Sequence, residues 1–269
     1  EPPLILTETL ASMPMRMPIT VFINKNGKQL VDETKEWGLN NTQGMWNALE
    51  FADLNEDGYL DIIGGNVGEN FKWKATPSRP VRIYLDDFDE NGQLDPIIFY
   101  DFFDRYVPFA SKDKLTQQLS YLKKRFPDYQ TFSEIQGIKN LTGKTKTEIL
   151  TYREIKELRS MVFLNSKTQF EGIPLPTKAQ QSAIQDFTYD PTTKRLYFVG
   201  NYLNYVVELG LKSANSGGFL YHFNNETNQF ESYQSLSLPK GINAREIKSL
   251  GTTKWIVTLN NASPVLLKK

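Results

Sequence analysis

The sequence predicts an all-β fold: a β-propeller-like array of about four or five four-stranded antiparallel units, broken by one helical insertion. Three observations predict it. Short β-rich runs follow one another along nearly the whole chain. Their order repeats. One stretch alone, about 111–158, carries helical spacing. Aromatics make up 13% of the 269 residues, with 13 Tyr and 17 Phe, which suits pleated, half-buried surfaces.

The runs of the first half are TVFIN (20–24), KQLVDE (28–33), WNALEFAD (46–53), LDIIGGN (60–66), VRIYLDD (81–87) and LDPIIFYDF (94–102). Those of the second half are SMVFLN (160–165), QFEGIPL (169–175), SAIQDFTYD (182–190), RLYFVGN (195–201), GFLYHFN (218–224) and QFESYQSL (229–236). REIKSLG (245–251), KWIVTLN (254–260) and PVLLKK (264–269) close the chain. Runs this short, joined by Asn-Gly or Asn-rich turns, read as antiparallel hairpins.

TVFINKNGKQLVDE resembles MVFLNSKTQFEGIPL, and ALEFADLNEDGYLDIIGGN lies on AIQDFTYDPTTKRLYFVGN without a gap. VRIYLDDFDENGQLDPII then faces GFLYHFNNETNQFESYQS. Three consecutive hairpins thus recur in one order, roughly 135–140 residues apart, and REIKSLGTTKWIVTLNN reads as a further copy of the middle one. Radial repetition of four-stranded units leaves only short sheet edges, which favours a propeller spanning 1–269 as one domain.

In the insertion, Leu115, Leu119, Leu122 and Phe126 share one face at helical spacing. Ser111 stands where an N-cap is wanted, Pro127 ends the run, and TFSE (131–134) reads as a capping box opening another helix. The basic KKRF (123–126) falls on the polar side of this face, a solvated position rather than a nucleic-acid contact.

Lys plus Arg and Asp plus Glu number 31 each, so no net field steers the chain to nucleic acid. The absence of cysteine excludes disulfides, thiolate metal sites and a Cys nucleophile. No apolar run approaches the ~20 residues of a membrane span. The chain opens on EPPLILTETL, without Met or an n-region before an h-region, and is read as a processed piece.

The chemistry is concentrated in two acidic loops. The first offers Asp53, Asn55, Asp57, the carbonyl of Tyr59 and Asp61. The second offers Asp87, Asp89, Asn91, the carbonyl of Gln93 and Asp95. Oxygens at positions 1, 3, 5, 7 and 9 can wrap Ca²⁺, which takes six to eight hard ligands; Mg²⁺ demands a tighter octahedron. Gly58 and Gly92 follow the fifth position, where the chain turns sharply. An EF-hand would need Glu at position 12, and Gly64 and Ile98 stand there. The alternative is a solvated Asn/Asp/Gly turn; two matching loops, each with Gly and an acidic ninth residue, favour the ion. In the later copy, Thr188, Asp190 and Thr192 stand opposite Asp53, Asn55 and Asp57, so that hairpin folds without metal.

WNALEFADLNEDGYLDIIGGN, with the preceding VFINKNGKQLVDETKEWGL, resembles the FG-GAP/VCBS repeat of integrin α-subunit propellers and bacterial surface proteins. The pairing of GGN with a later DDFDENGQLDPI is similar to VCBS-repeat proteins of Bacteroidetes-type bacteria. The resemblance implies a β-propeller, Ca²⁺ in the blade hairpins and an extracytoplasmic location, periplasmic, cell-surface or secreted. Integrin-like propellers have about seven blades, so four or five units imply a fragment, or a small or open propeller.

No catalytic residue is assigned. His222, the only histidine, lies in a β-run, and no Gly-rich phosphate loop precedes a helix. Asp86, Asp87, Asp101 and Asp104 are carboxylates that a glycosidase could pair. Trp46, Trp73, Tyr84, Tyr100, Tyr106 and Tyr202 are candidate platforms for sugar rings or partners, or core. The expected function is therefore a calcium-binding, non-catalytic module for a cell-surface protein or glycan. A polysaccharide lyase or glycoside hydrolase on the same scaffold is the alternative.

Overall fold

The computed structural model describes residues 4–6, 18–202, 207–209, 215–239, 241–251 and 254–268. The chain forms two compact units, Glu1–Lys72 with Leu158–Lys269, and Trp73–Glu157. Strands make up 43% of the structure against 13% helix, and the sheets pair antiparallel, so the all-β class stands.

In the first unit, β1 (Leu4–Leu6), β2 (Thr20–Lys25) and β3 (Gln29–Asp32) form a three-stranded sheet. Asn26 and Gly27 both take positive φ, 58° and 70°, as the central residues of a turn closed by the Lys28 amide on the Lys25 carbonyl at 3.2 Å. β4 (Ala48–Ala52) and β5 (Asp61–Gly65) follow, with the first acidic loop between them. Here the chain leaves the unit.

The second unit is a sheet ordered β8-β7-β6-β9, from β6 (Val81–Asp86), β7 (Asp95–Phe102), β8 (Arg105–Pro108) and β9 (Thr151–Ile155). Between β8 and β9 lie α1 (Lys112–Gln118), α2 (Leu122–Arg125), α3 (Tyr129–Ser133) and α4 (Ile138–Thr142). The helices expected in 111–158 are present, inside a larger excursion that brings its own four strands. Leu115, Leu119, Leu122 and Phe126 are all buried against Tyr84, Ile97 and Phe99 of the sheet. The apolar face survives although the helix breaks after Gln118. Ser111 caps α1, its hydroxyl accepting from the Lys114 amide at 3.4 Å.

The next cap differs from expectation. TFSE does not open a helix; Asp128 caps α3 by accepting from the Thr131 amide at 2.8 Å, and Thr131 lies inside the helix. An Asp in extended backbone just ahead of the run is a strong cap by itself. A capping box does form further on, Thr145 with Glu148, on a 3₁₀ turn.

The excursion closes where the Gly68 amide donates to the Leu158 carbonyl at 2.7 Å. β10 (Met161–Asn165) and β11 (Phe170–Pro174) then complete the sheet begun by β4 and β5, in the order β11-β10-β5-β4. The β6–β7 hairpin, next along the chain after β4–β5, stands in a different sheet. The reason lies in the side chains. Every residue of β5 and of β10 is buried, so the free edge of β5 suits a strand apolar nearly throughout, MVFLN. β6 keeps Arg82 half-exposed and belongs to a sheet with one wetter face.

β12 (Ile184–Asp190), β13 (Arg195–Gly200), β14 (Gly217–Asn224) and β15 (Gln229–Ser235) form the next sheet, and β16 (Ala244–Leu250), β17 (Lys254–Leu259) and β18 (Ala262–Lys268) a three-stranded one. β4 lies against β12, and β12 against β16. β12 and β16 each carry a bulge near their first residue. The two GN pairs tie the sheets: the Asn66 carbonyl accepts from the Ile184 amide at 3.0 Å, and Asn201 Nδ2 donates to the carbonyl of Ile242, just ahead of β16, at 3.1 Å.

The neighbouring strands bring Glu50 of β4 near Asp186 of β12 and Lys248 of β16. Burial raises the Glu50 carboxyl above its usual range; the Phe51 amide and Lys248 oppose this, and Asp186 adds to it. The native state therefore holds the proton more tightly than the unfolded chain does. Glu50 should lower stability as pH rises from the usual glutamate value of about 4.3 through its raised native value. Glu50→Gln is expected to flatten this loss in denaturant midpoints measured from acid to neutral pH. Parallel curves for the two proteins would refute it.

Candidate metal loops

The two acidic loops fold alike. Each starts at the end of a strand, β4 or β6, and its ninth residue opens the next, β5 or β7. The first carboxylate closes each loop. Asp53 accepts from the amides of Asp57 at 3.0 Å and Gly58 at 2.9 Å, and Asp87 from those of Asn91 at 3.0 Å and Gly92 at 2.8 Å. The fifth residue accepts from the seventh: Asp57 from the Tyr59 amide at 2.9 Å, Asn91 from the Gln93 amide at 2.8 Å. The ninth accepts from the second: Asp61 from the Leu54 amide at 2.9 Å, Asp95 from the Phe88 amide at 3.4 Å. Gly58 and Gly92 take φ of 88° and 85°, as their placement predicts. Glu56 and Glu90 also turn left-handed, each at φ 61°, a requirement the sequence does not announce because glutamate rarely does so.

The electrostatics differ between the loops. Asp61 is fully buried, and burial pushes its carboxyl up to about 6. The Asn165 and Leu54 amides pull it down, while the charges of Asp57 and Asp53 push it further up. In the second loop, carboxylate oxygens of Asp87, Asp89 and Asp95 lie within 4.8 Å of one another. Among the described residues this is the one gathering of three potential acidic or imidazole ligands. Asp89 Oδ1 is buried without a hydrogen-bond partner. In the first loop Asn55 Nδ2 instead donates to Asp57 Oδ2 at 3.2 Å.

The donor set fits a hard cation: carboxylate and amide oxygens, with no thiolate or imidazole. Asp87, Asp89, Asn91 and Asp95, with the Gln93 carbonyl, would hold it in the second loop. Asp53, Asn55, Asp57, Asp61 and the Tyr59 carbonyl would do so in the first. Two supporting residues escape sequence reasoning because they lie far along the chain. The Asn165 amide bonds Asp61 Oδ1 at 2.9 Å, and Gln118 Nε2 bonds Asp95 Oδ1 at 2.9 Å.

The other candidates have ordinary surroundings. Lys144 Nζ lies 2.8 Å from Asp86, and Arg79 binds both Asp101 at 3.3 Å and Asp104 at 2.6 Å. Trp73, Tyr84 and Tyr100 are buried core residues rather than exposed platforms. Trp46 donates to the Thr42 carbonyl at 2.7 Å and packs on Phe163; Arg82 covers Tyr106, and Arg245 stands over Tyr202. His222 is exposed on β14. Lys123, Lys124 and Arg125 are exposed on α2. No helix among the described residues is long and apolar enough to cross a membrane. No family model matches the chain, and searches of curated proteins and of solved structures find no match for it.

Proposed function

We propose that the chain is a calcium-binding, non-catalytic part of an extracytoplasmic propeller-type protein of FG-GAP/VCBS kind, recognising a cell-surface protein or glycan. One observation carries the calcium reading. Two loops far apart in sequence repeat the same nine-residue geometry, and the second leaves the buried Asp89 Oδ1 unsatisfied among three converging carboxylates. A buried oxygen acceptor without a partner is costly, and a divalent cation would remove that cost. Antiparallel four-stranded sheets whose first strands adjoin support the propeller. The second hairpin pair supports a structural role for the ion. β12 and β13 continue their ladder to Asp190↔Arg195 and close with a short turn, so a repeat without the acidic loop still folds.

The test is a titration. Calorimetry should detect Ca²⁺ binding, with Mg²⁺ weaker, and Ca²⁺ should raise the melting temperature over the chelated protein. At a Ca²⁺ concentration of ~100 Kd the expected rise is about 5 °C or more. Asp89→Asn should lose most of the second site's share of the heat. Superimposable melting curves with Ca²⁺ and with chelator would end the proposal.

A further inference from the structure

A cavity of about 230 Å³ opens in the first unit where the first acidic loop meets the tips of the β12–β13 and β14–β15 hairpins. Its inner wall is aromatic. Phe230 is buried, Phe223 packs edge-on against it at 5.1 Å between ring centroids, and Tyr189 adds a third ring. Its mouth is polar. Lys194 and Glu56, both mostly exposed, form an ion pair at 2.6 Å across it. Asn225 Nδ2 donates to the Asn55 carbonyl at 3.0 Å, fastening the acidic loop to this rim. His222 completes the lining.

His222 is the least expected of these residues. It sits inside β14 with φ of 56°, while Tyr221↔Ser232 and Phe223↔Phe230 keep one register on either side. A non-glycine residue turned left-handed within a strand is strained, and such strain gathers at binding sites. The turn stands the imidazole edge-on to the Tyr221 ring, 4.7 Å away, at the cavity.

The chemistry of the lining selects the occupant. Aromatic walls accept the apolar face of a ring. The mouth offers donors and acceptors together, which hydroxyl groups need and a hydrocarbon does not. Glu56 and Lys194 pair with one another, which leaves no unpaired carboxylate or ammonium in the lining, and Asp53 and Asp190 nearby disfavour an anion. The volume lies below the ~300–1,000 Å³ of pockets for drug-sized ligands and suits one ring rather than a chain. We infer that this cavity is a binding subsite for a single neutral hexose ring. The inference rests on the recognition function proposed above and names the glycan branch of it.

The full chain is titrated with the methyl glycosides of glucose, galactose, mannose and N-acetylglucosamine, and read by saturation-transfer NMR and calorimetry. N-acetylphenylalanine amide serves as the comparison probe. At least one glycoside should bind. His222→Gly removes the imidazole and suits the left-handed backbone, so affinity should fall at least tenfold while the melting temperature does not fall. Thr193→Trp, on an exposed turn at the cavity, should block binding without unfolding the protein. Three results would each overturn the inference: no glycoside binds, neither substitution alters binding, or the phenylalanine amide binds in preference to every sugar. A parallel Ca²⁺ titration separates the two readings. Silent sugar titrations beside a normal Ca²⁺ heat remove this subsite alone, and the reverse pattern removes the metal.

Discussion

Asp61→Ala is expected to destabilise the first unit by about 3–5 kcal/mol, seen as a fall in the denaturant midpoint. Asp61 is fully buried, and each of its oxygens accepts a backbone amide, Leu54 at 2.9 Å and Asn165 at 2.9 Å. Alanine leaves both donors buried and unpaired, and each costs about 1–3 kcal/mol. It also leaves a void beside β10, since Asn165 is the last residue of that strand. Relief of a buried carboxyl that ionises reluctantly offsets part of the loss. Asp61→Asn keeps one acceptor and turns an amino group on the other N–H, so it should cost less. Asp53→Ala should cost less again. Asp53 also accepts two amides, but near the surface, where water can replace it. Equal midpoints for Asp61→Ala and Asp53→Ala would refute this ranking.

The second large effect is expected at Gly68. A Cβ there would stand 2.3 Å from the Gln180 carbonyl oxygen, and the residue already has φ of +82°. That carbonyl accepts the amides of Glu69 at 2.8 Å and Asn70 at 3.3 Å, while Gly68 itself donates to Leu158. Its neighbours are fixed, because the Gln180 side chain is buried and bonded to Ser160 and Leu175. Gly68→Ala should therefore cost about 3–5 kcal/mol, combining a backbone clash with left-handed strain. Gly58 provides the control. It has φ of +88° but nothing within 4 Å of an added Cβ. Gly58→Ala should show the conformational cost alone, about 1 kcal/mol. If the two variants melt together, the close approach at Gly68 is not what holds that junction.

Strand positions were legible because alternation and turn chemistry act locally. TVFIN, LDIIGGN and RLYFVGN each became a strand close to the expected bounds. Leu115, Leu119, Leu122 and Phe126 were legible as one buried face for the same reason. The partner of β5 was not legible. Hairpin patterns specify the pairing of adjacent strands, but the free edge is taken by whichever apolar strand fits, here Met161–Asn165 rather than Val81–Asp86. The acidic loops announced their spacing and glycines. They did not announce the left-handed Glu56 and Glu90, nor the support from Asn165 and Gln118. The sugar-sized cavity was silent in sequence, since Glu56, Lys194 and His222 come from three separate hairpins.

The split sheet has a consequence for biosynthesis. Ile62 must await Phe163, about a hundred residues later, before its ladder is complete. At a ribosomal pace of ~5–20 residues per second, the apolar edge of β5 stays unpaired for roughly 5–20 s. An uncovered edge of this kind invites pairing with another nascent chain. Soluble yield from cell-free translation should therefore fall as more template, and with it more nascent chains at once, is supplied.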